Sequence, residues 1–165
     1  MDEAASTRPV PTLYAWLGSD PAIFTRLIEA FYDSAVKDAL LAPLFIGMSP
    51  QHREHVALWF AEVFGGPKRY SEEQGGHRSM ILKHQQFSIS EAQRKRWTQL
   101  MADAADAVGL PIDPEFRSAF AAYVEWGTRM ALMYTHPGVA APGQLPMPSW
   151  GWGEAPPYRP DEKES

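Results

Sequence analysis

Among the side chains able to do chemistry, His84 stands out first. It closes an apolar helical turn, Met80 lies one turn earlier on the same face, and Phe87 follows as an apolar anchor. An imidazole so placed is either a metal ligand or a capped, half-buried structural histidine, and spacing alone leaves both open. His52 lies on the apolar stripe of another helix, with Val56, Trp59, Phe60 and Val63 at offsets 4, 7, 8 and 11 from it. A histidine there either hydrogen-bonds something fixed or faces a cavity with a ligand in it. His55 flanks the same stripe, and the pair could share a metal, but no third ligand stands nearby. Tyr32 sits at the edge of a further apolar face, where its hydroxyl either enters a pocket and needs a polar partner or simply reaches water.

The elements that must position these groups are helical throughout, because no segment alternates with period two. Pro11-Thr12 opens a short turn or helix carrying Leu13, Tyr14, Trp16 and Leu17, expected to act as a lid or strap rather than core. Asp20-Pro21 opens a helix that buries Phe24, Leu27, Ile28, Phe31 and Ala35. A short helix from Asp38 to Phe45 is broken by Pro43, and Ser49-Pro50 then opens the His52 helix, which Gly65-Gly66-Pro67 stops. Pro67 to Gly76 reads as polar loop, and about two turns of helix fit between His77 and His84. Ser90 with Gln93 forms a capping box that starts a helix burying Trp97, Leu100, Met101, Ala104, Ala105 and Val108. Asp113-Pro114 opens the last one, with Phe116, Phe120, Tyr123, Val124, Gly127, Met130, Ala131 and Tyr134 turned inward.

Three stretches follow from this: a loose leader over residues 1–10, one helical domain over 11–135 and a tail over 136–165. The tail holds seven of the fifteen prolines and has no helical period, so it is expected to be mostly mobile; Trp150, Trp152 and Tyr158 leave open that it folds back or binds a partner. A chain of 165 residues, 45% hydrophobic, can bury one substantial core. Six Trp, eight Phe, six Tyr and seven Met would suit a bulky flat ligand, or simply an aromatic-rich core. With no cysteine, disulfides, thiolate zinc sites, iron–sulfur clusters and thiol nucleophiles are all excluded, so any metal falls to histidine or carboxylate. A net charge of −5, with no basic run longer than Arg94-Lys95-Arg96, argues against nucleic acid as the main partner. The acidic start lacks a secretory pattern and no apolar run could cross a bilayer, so no membrane partner and a cytoplasmic protein are expected.

Taken in order, Phe31-Tyr32, Pro43-Leu44-Phe45, Gly65-Gly66-Pro67 with Tyr70, Gly76-His77, His84 with Phe87, and Trp97 thirteen residues beyond His84 resemble a truncated haemoglobin of group II. The resemblance covers roughly Leu13 to Tyr134 and implies an all-α fold, a two-over-two helical sandwich around haem b, with the Pro-rich tail outside the pattern. It implies that His84 ligates the haem iron, that Tyr32, His52 and Trp97 face the ligand side, and that Phe45 wedges the porphyrin. Val56, Trp59, Phe60, Tyr70, Met80, Phe87 and Met101 would then contact the group and Lys83 would pair with a propionate. Several positions depart from the family. Ile81 stands where an arginine is usual, Gln85-Gln86 replaces Ala-Pro, and an insertion within Ile46 to Pro50 would let His55 take the distal role instead of His52.

The resemblance further implies binding of O2, NO and CO. Tyr32, Trp97 and His52 would be three donors to a bound ligand that gains partial negative charge, each hydrogen bond worth about 1–3 kcal/mol. Slow O2 release of that kind suits NO dioxygenation or weak peroxidase work fed by a reductase. The competing expectation is a carrier or gas sensor whose tail reads out ligand state, in a chain that is a monomer or homodimer.

Overall fold

In a computed structural model of the chain, residues 9–158 are described, and among them all regular structure is helical. The elements are α1 (Leu13–Trp16), α2 (Ala22–Ala35), a 3-10 turn (Ala42–Phe45), α3 (His52–Val63), α4 (Arg69–Gln74), α5 (Gly76–His84), α6 (Glu91–Ala107) and α7 (Pro114–Thr135). Among these, α2 packs on both α3 and α6, α6 packs on α7, and α7 packs on α5. The helices α2 and α3 thus form one layer and α6 with α7 the other, the all-helical two-over-two arrangement expected.

The helix starts follow the sequence closely where local chemistry sets them. Ser90 accepts from the Gln93 N–H while the Gln93 amide accepts from the Ser90 N–H, which is the capping box of α6. Asp113 accepts from the Phe116 N–H ahead of Pro114, and Asp20 accepts from the Ala22 N–H at the start of α2. Each inward stripe then reaches one core in which Phe24, Leu27, Phe31, Phe64, Met101 and Phe116 are almost completely buried.

Four expectations change. Helix α1 belongs to the core rather than lying over it, since Leu13 is fully buried and the Tyr14 N–H donates to the Phe64 carbonyl. Pro43 lies inside the first turn of the 3-10 segment and so begins it, instead of breaking a longer helix. Residues 69–74, expected as loop, form α4, where the Glu62 carboxylate accepts from both the backbone N–H and the hydroxyl of Ser71 and Tyr70 is buried.

The tail is the fourth. Its described part, residues 136–158, lies against the helices. Trp150 donates from its backbone N–H to the Val63 carbonyl and from its indole to the Ala119 carbonyl. The Trp152 indole donates to the Pro11 carbonyl and its ring meets Trp16 edge-on. Proline spacing removes helical period without removing these aromatic anchors. The leader expected over residues 1–10 falls outside the described residues as far as residue 8, as does the tail beyond residue 158.

Candidate functional site

Between the two layers lies a cavity of about 710 Å³. Helices α2 and α3 supply Tyr32, His52, His55, Val56, Trp59 and Phe60, while α5 supplies Met80, Lys83 and His84. Phe45, Tyr70, Phe87 and Trp97 complete the part of the wall expected from sequence. Residues from six separate elements and the loop after α5 therefore converge on one space.

His84, half-buried on the cavity wall, is fixed to its own helix: its Nδ1 donates to the Met80 carbonyl at 2.7 Å. A carbonyl only accepts, so Nδ1 carries the proton and Nε2 keeps its lone pair. Burial lowers the basicity of the ring and the Lys83 charge adds to that, with the Met80 bond opposing, so the imidazole is neutral at neutral pH. A neutral imidazole with one bare nitrogen is what a metal needs from histidine. Among the described residues no group of three His, Asp or Glu comes together to hold a metal ion unaided. His84 therefore fits a metal whose remaining ligands arrive with it, as in a flat macrocycle seated among aromatic walls.

His52 also lines the cavity, and its Nε2 lies 2.8 Å from the Tyr32 hydroxyl. Burial first, then the electrostatic influence of the neighbouring His84, His55 and Lys83, pushes the His52 imidazole down to about 4. Tyr32 is 3% exposed, and burial holds its hydroxyl protonated against the opposing pull of Arg53. Arg53 sits 5.5 Å from the Tyr32 ring centroid and is itself paired with Glu29 at 2.6 Å and Asp33 at 2.9 Å. Two neutral groups thus share one hydrogen bond. If His52 donates from Nε2, the Tyr32 proton is free for the cavity; if Tyr32 donates, it is not. The expectation of two independent donors here becomes one coupled unit.

The walls are aromatic. Phe45 meets Tyr32 edge-on at 5.2 Å between ring centroids, and Trp97 packs on Phe31 at 4.6 Å. Trp59 donates its indole N–H to the Tyr123 hydroxyl and stands edge-on to Tyr70 at 5.0 Å. Burial and the Glu62 carboxylate push the Tyr70 phenol up to about 12. Lys83 is exposed at the rim, its Nζ donating to Gln74 at 3.2 Å.

Met101 is the sequence-predicted pocket residue that the structure takes away: it is fully buried in the hydrophobic core and does not line the cavity. It lies one turn beyond Trp97, where α6 has already turned its apolar face into the core. In the other direction, sequence reasoning left Tyr123, Trp126, Met130 and Ala131 of α7 and Arg94 of α6 unassigned, and all line the cavity. The inward stripe of α7 contained most of these; which part met core and which met cavity depended on the partner helix. Arg94 is buried by its fork to Glu91 and its bonds to Glu125 and Thr128, and Arg96 pairs with Asp38. Two of the three residues of the basic run, Arg94 and Arg96, are thus held in ion pairs.

Comparison with known proteins agrees with this geometry. Residues 12–124 match the sequence profile described as bacterial-like globin. The Group 1 truncated hemoglobin GlbN of Nostoc commune is 32% identical over 81 residues, 48% of this chain and 64% of that protein's length. The aligned region thus spans less than two thirds of that relative. The hemoglobin of the thermophilic phototrophic bacterium Chloroflexus aurantiacus superposes with a TM-score of 0.65 at 31% identity, over 74% of this chain and 98% of the other. The truncated oxygen-avid haemoglobin of Bacillus subtilis gives a TM-score of 0.65 at 25% identity, over 74% and 99%.

Proposed function

Because the chain belongs to the bacterial-like globin family, we propose that it holds haem b through His84 and uses a guarded opposite face to retain O2 for reaction rather than delivery. The observation that carries this reading is the pairing of a neutral His84, bare at Nε2, with the Tyr32–His52 unit on the wall of one cavity. A bound haem would supply an iron able to take up O2, NO or CO. The rest falls to the chain. His84 on α5 would hold the group, Phe45 and Trp59 would pack against it, and Lys83 at the rim would offer a cation to a propionate. Tyr32 and Trp97 offer hydrogen-bond donors where a ligand gains negative charge, and His52 orients the Tyr32 hydroxyl.

Aromatic packing of Trp97 on Phe31 supports a place in group II, although the matched Nostoc protein is of group 1. The chemistry proposed is NO dioxygenation, in which NO, O2 and one electron give nitrate, the electron coming from a cytoplasmic reductase; slow peroxide turnover is a second use of the same site. Among the described residues no helix is long and apolar enough to cross a membrane. The alternative, a carrier or sensor without turnover, is favoured by the tail's contacts with α5.

The test is an absorption spectrum of the purified chain, with hemin added if it is colourless, followed by NO consumption by the O2-loaded ferrous form. An intense band at the violet edge of the visible range that is lost in His84→Ala supports the haem site. A chain that stays colourless with hemin rejects it. Stoichiometric nitrate formation supports dioxygenation, whereas NO binding without nitrate leaves the carrier or sensor reading.

A further inference from the structure

The tail touches the helix that carries His84 at three points. The Gln85 amide donates to the Val139 carbonyl at 3.4 Å, Arg78 Nε donates to the Pro142 carbonyl at 3.2 Å, and His77 Nδ1 donates to the Pro146 carbonyl at 3.0 Å. Residues 139–146 therefore run antiparallel along α5, from its C-terminal end to its first turn. Beyond them, Trp150 is tied by two hydrogen bonds to the ends of α3 and the side of α7, and its ring packs against Tyr123 and Trp126. The segment is anchored on the core at one end and on α5 along its length.

Helix α5 is poorly held by its own means. It buries only His77 and Ile81. Its N-cap is Gly75, which gives no side-chain cap, and Gly75 and Gly76 both have positive φ, at 87° and 78°. Two consecutive glycines in that region make a joint rather than a brace. Meanwhile the His84 ring is bonded to the Met80 carbonyl of its own helix, so the ring goes wherever α5 goes.

We propose that residues 139–150 brace α5, with His77 as the positioning residue that latches the brace, and so set the seat of the His84 imidazole against its metal. His77 is 4% exposed, wedged between Trp59 and Trp126, and spends its Nδ1 proton on the tail. Its buried Nε2 has no partner among the described residues, so the ring's sole hydrogen bond is to the tail. The matched family profile ends at residue 124, so the brace lies outside the matched region.

This inference rests on the haem reading above, and the experiment separates the two. In the hemin-loaded full chain, His77→Phe keeps the ring and removes the latch proton, His77→Asn keeps a donor, and Trp150→Phe removes the indole bond to Ala119. The readouts are the iron–histidine vibration of the ferrous protein and the rate of hemin transfer to an excess of a haem-free scavenger globin. Leu110→Ala, a buried site away from the cavity, serves as a control for general loss of stability. His77→Phe and Trp150→Phe are expected to shift the vibration and speed hemin loss about tenfold, the size of one buried hydrogen bond, with His77→Asn returning most of both. The brace is rejected if both variants match the wild type, or differ from it no more than Leu110→Ala does. A wild type that binds no hemin instead ends the functional reading and this one with it.

Discussion

The hydrogen bond between Tyr32 and His52 makes a quantitative prediction about ligand release. Tyr32→Phe keeps the ring, its edge contact with Phe45 and its place in the core, and removes only the hydroxyl. With the hydroxyl gone, a full donor to a charged acceptor disappears, worth about 1–3 kcal/mol. At about 1.4 kcal/mol per factor of ten, O2 dissociation should rise by roughly fivefold to a hundredfold. His52→Leu should raise it less, because Tyr32 keeps its proton but loses its orientation. The two groups share one bond at 2.8 Å, so the double variant should release O2 about as fast as Tyr32→Phe alone, where independent donors would multiply. Stopped-flow replacement of O2 by CO measures all four rates. Unchanged release in Tyr32→Phe, or fully multiplicative effects in the double variant, would refute the coupled-donor argument.

Three further outcomes follow from the same geometry. Trp97→Phe keeps the packing on Phe31 and removes the indole donor, so O2 dissociation should rise by about tenfold with little change in hemin affinity, read by the same stopped-flow assay. Met101→Ala should cost about 2–5 kcal/mol in urea unfolding while the haem absorption bands stay in place, because this side chain fills core and not cavity; shifted bands would return it to the site. The unfolded chain protonates His52 near its ordinary 6.5, whereas the folded chain holds it at about 4. Stability from His52 is therefore present above pH 6.5 and lost as pH falls from there towards about 4, by about 1 kcal/mol at pH 5 once the half-exposed ring is allowed for. Unfolding free energies at pH 7 and pH 5 should differ less in His52→Gln than in the wild type, and equal differences would rule the assignment out.

What the sequence carried was local. The Ser90 box, the Asp113-Pro114 start and the 3/4 spacing of α2 each act within one or two turns, and each is where it was expected. His84, Tyr32 and His52 were legible for the same reason, as polar groups on or beside apolar stripes. What escaped depended on partners far away in the chain. Helix α4 has a polar sequence and is held by Glu62, nine residues before Ser71. The tail's Trp152 bonds a carbonyl 141 residues earlier, which no proline count reveals. The Tyr32–His52 bond joins groups 20 residues apart, each of which was foreseen as a separate donor. Met101 and Met130 both lie on inward faces, and only the packing of α6 and α7 decides that the first meets core and the second meets cavity.

A group bound in the cavity would become part of the folded state. The cavity opens to solvent at its mouth, and the apolar side chains on its wall lack the packed neighbours that core residues have. The chain must therefore fill the space, flood it or close it. Water can meet the polar part of the wall at Tyr32, His52 and Lys83 and is a poor filling beside Phe45, Val56, Trp59, Phe60 and Met80. Closure would have to come from the wall with least to lose, which is α5 with two buried side chains and a glycine joint at its start. On the proposed haem reading, a flat group held by His84 would remove both alternatives at once, and its binding free energy would add to stability through linkage. The strength of the His84 bond and the tightness of the brace on α5 are then two parts of one equilibrium, so a change in either moves hemin retention in the same direction.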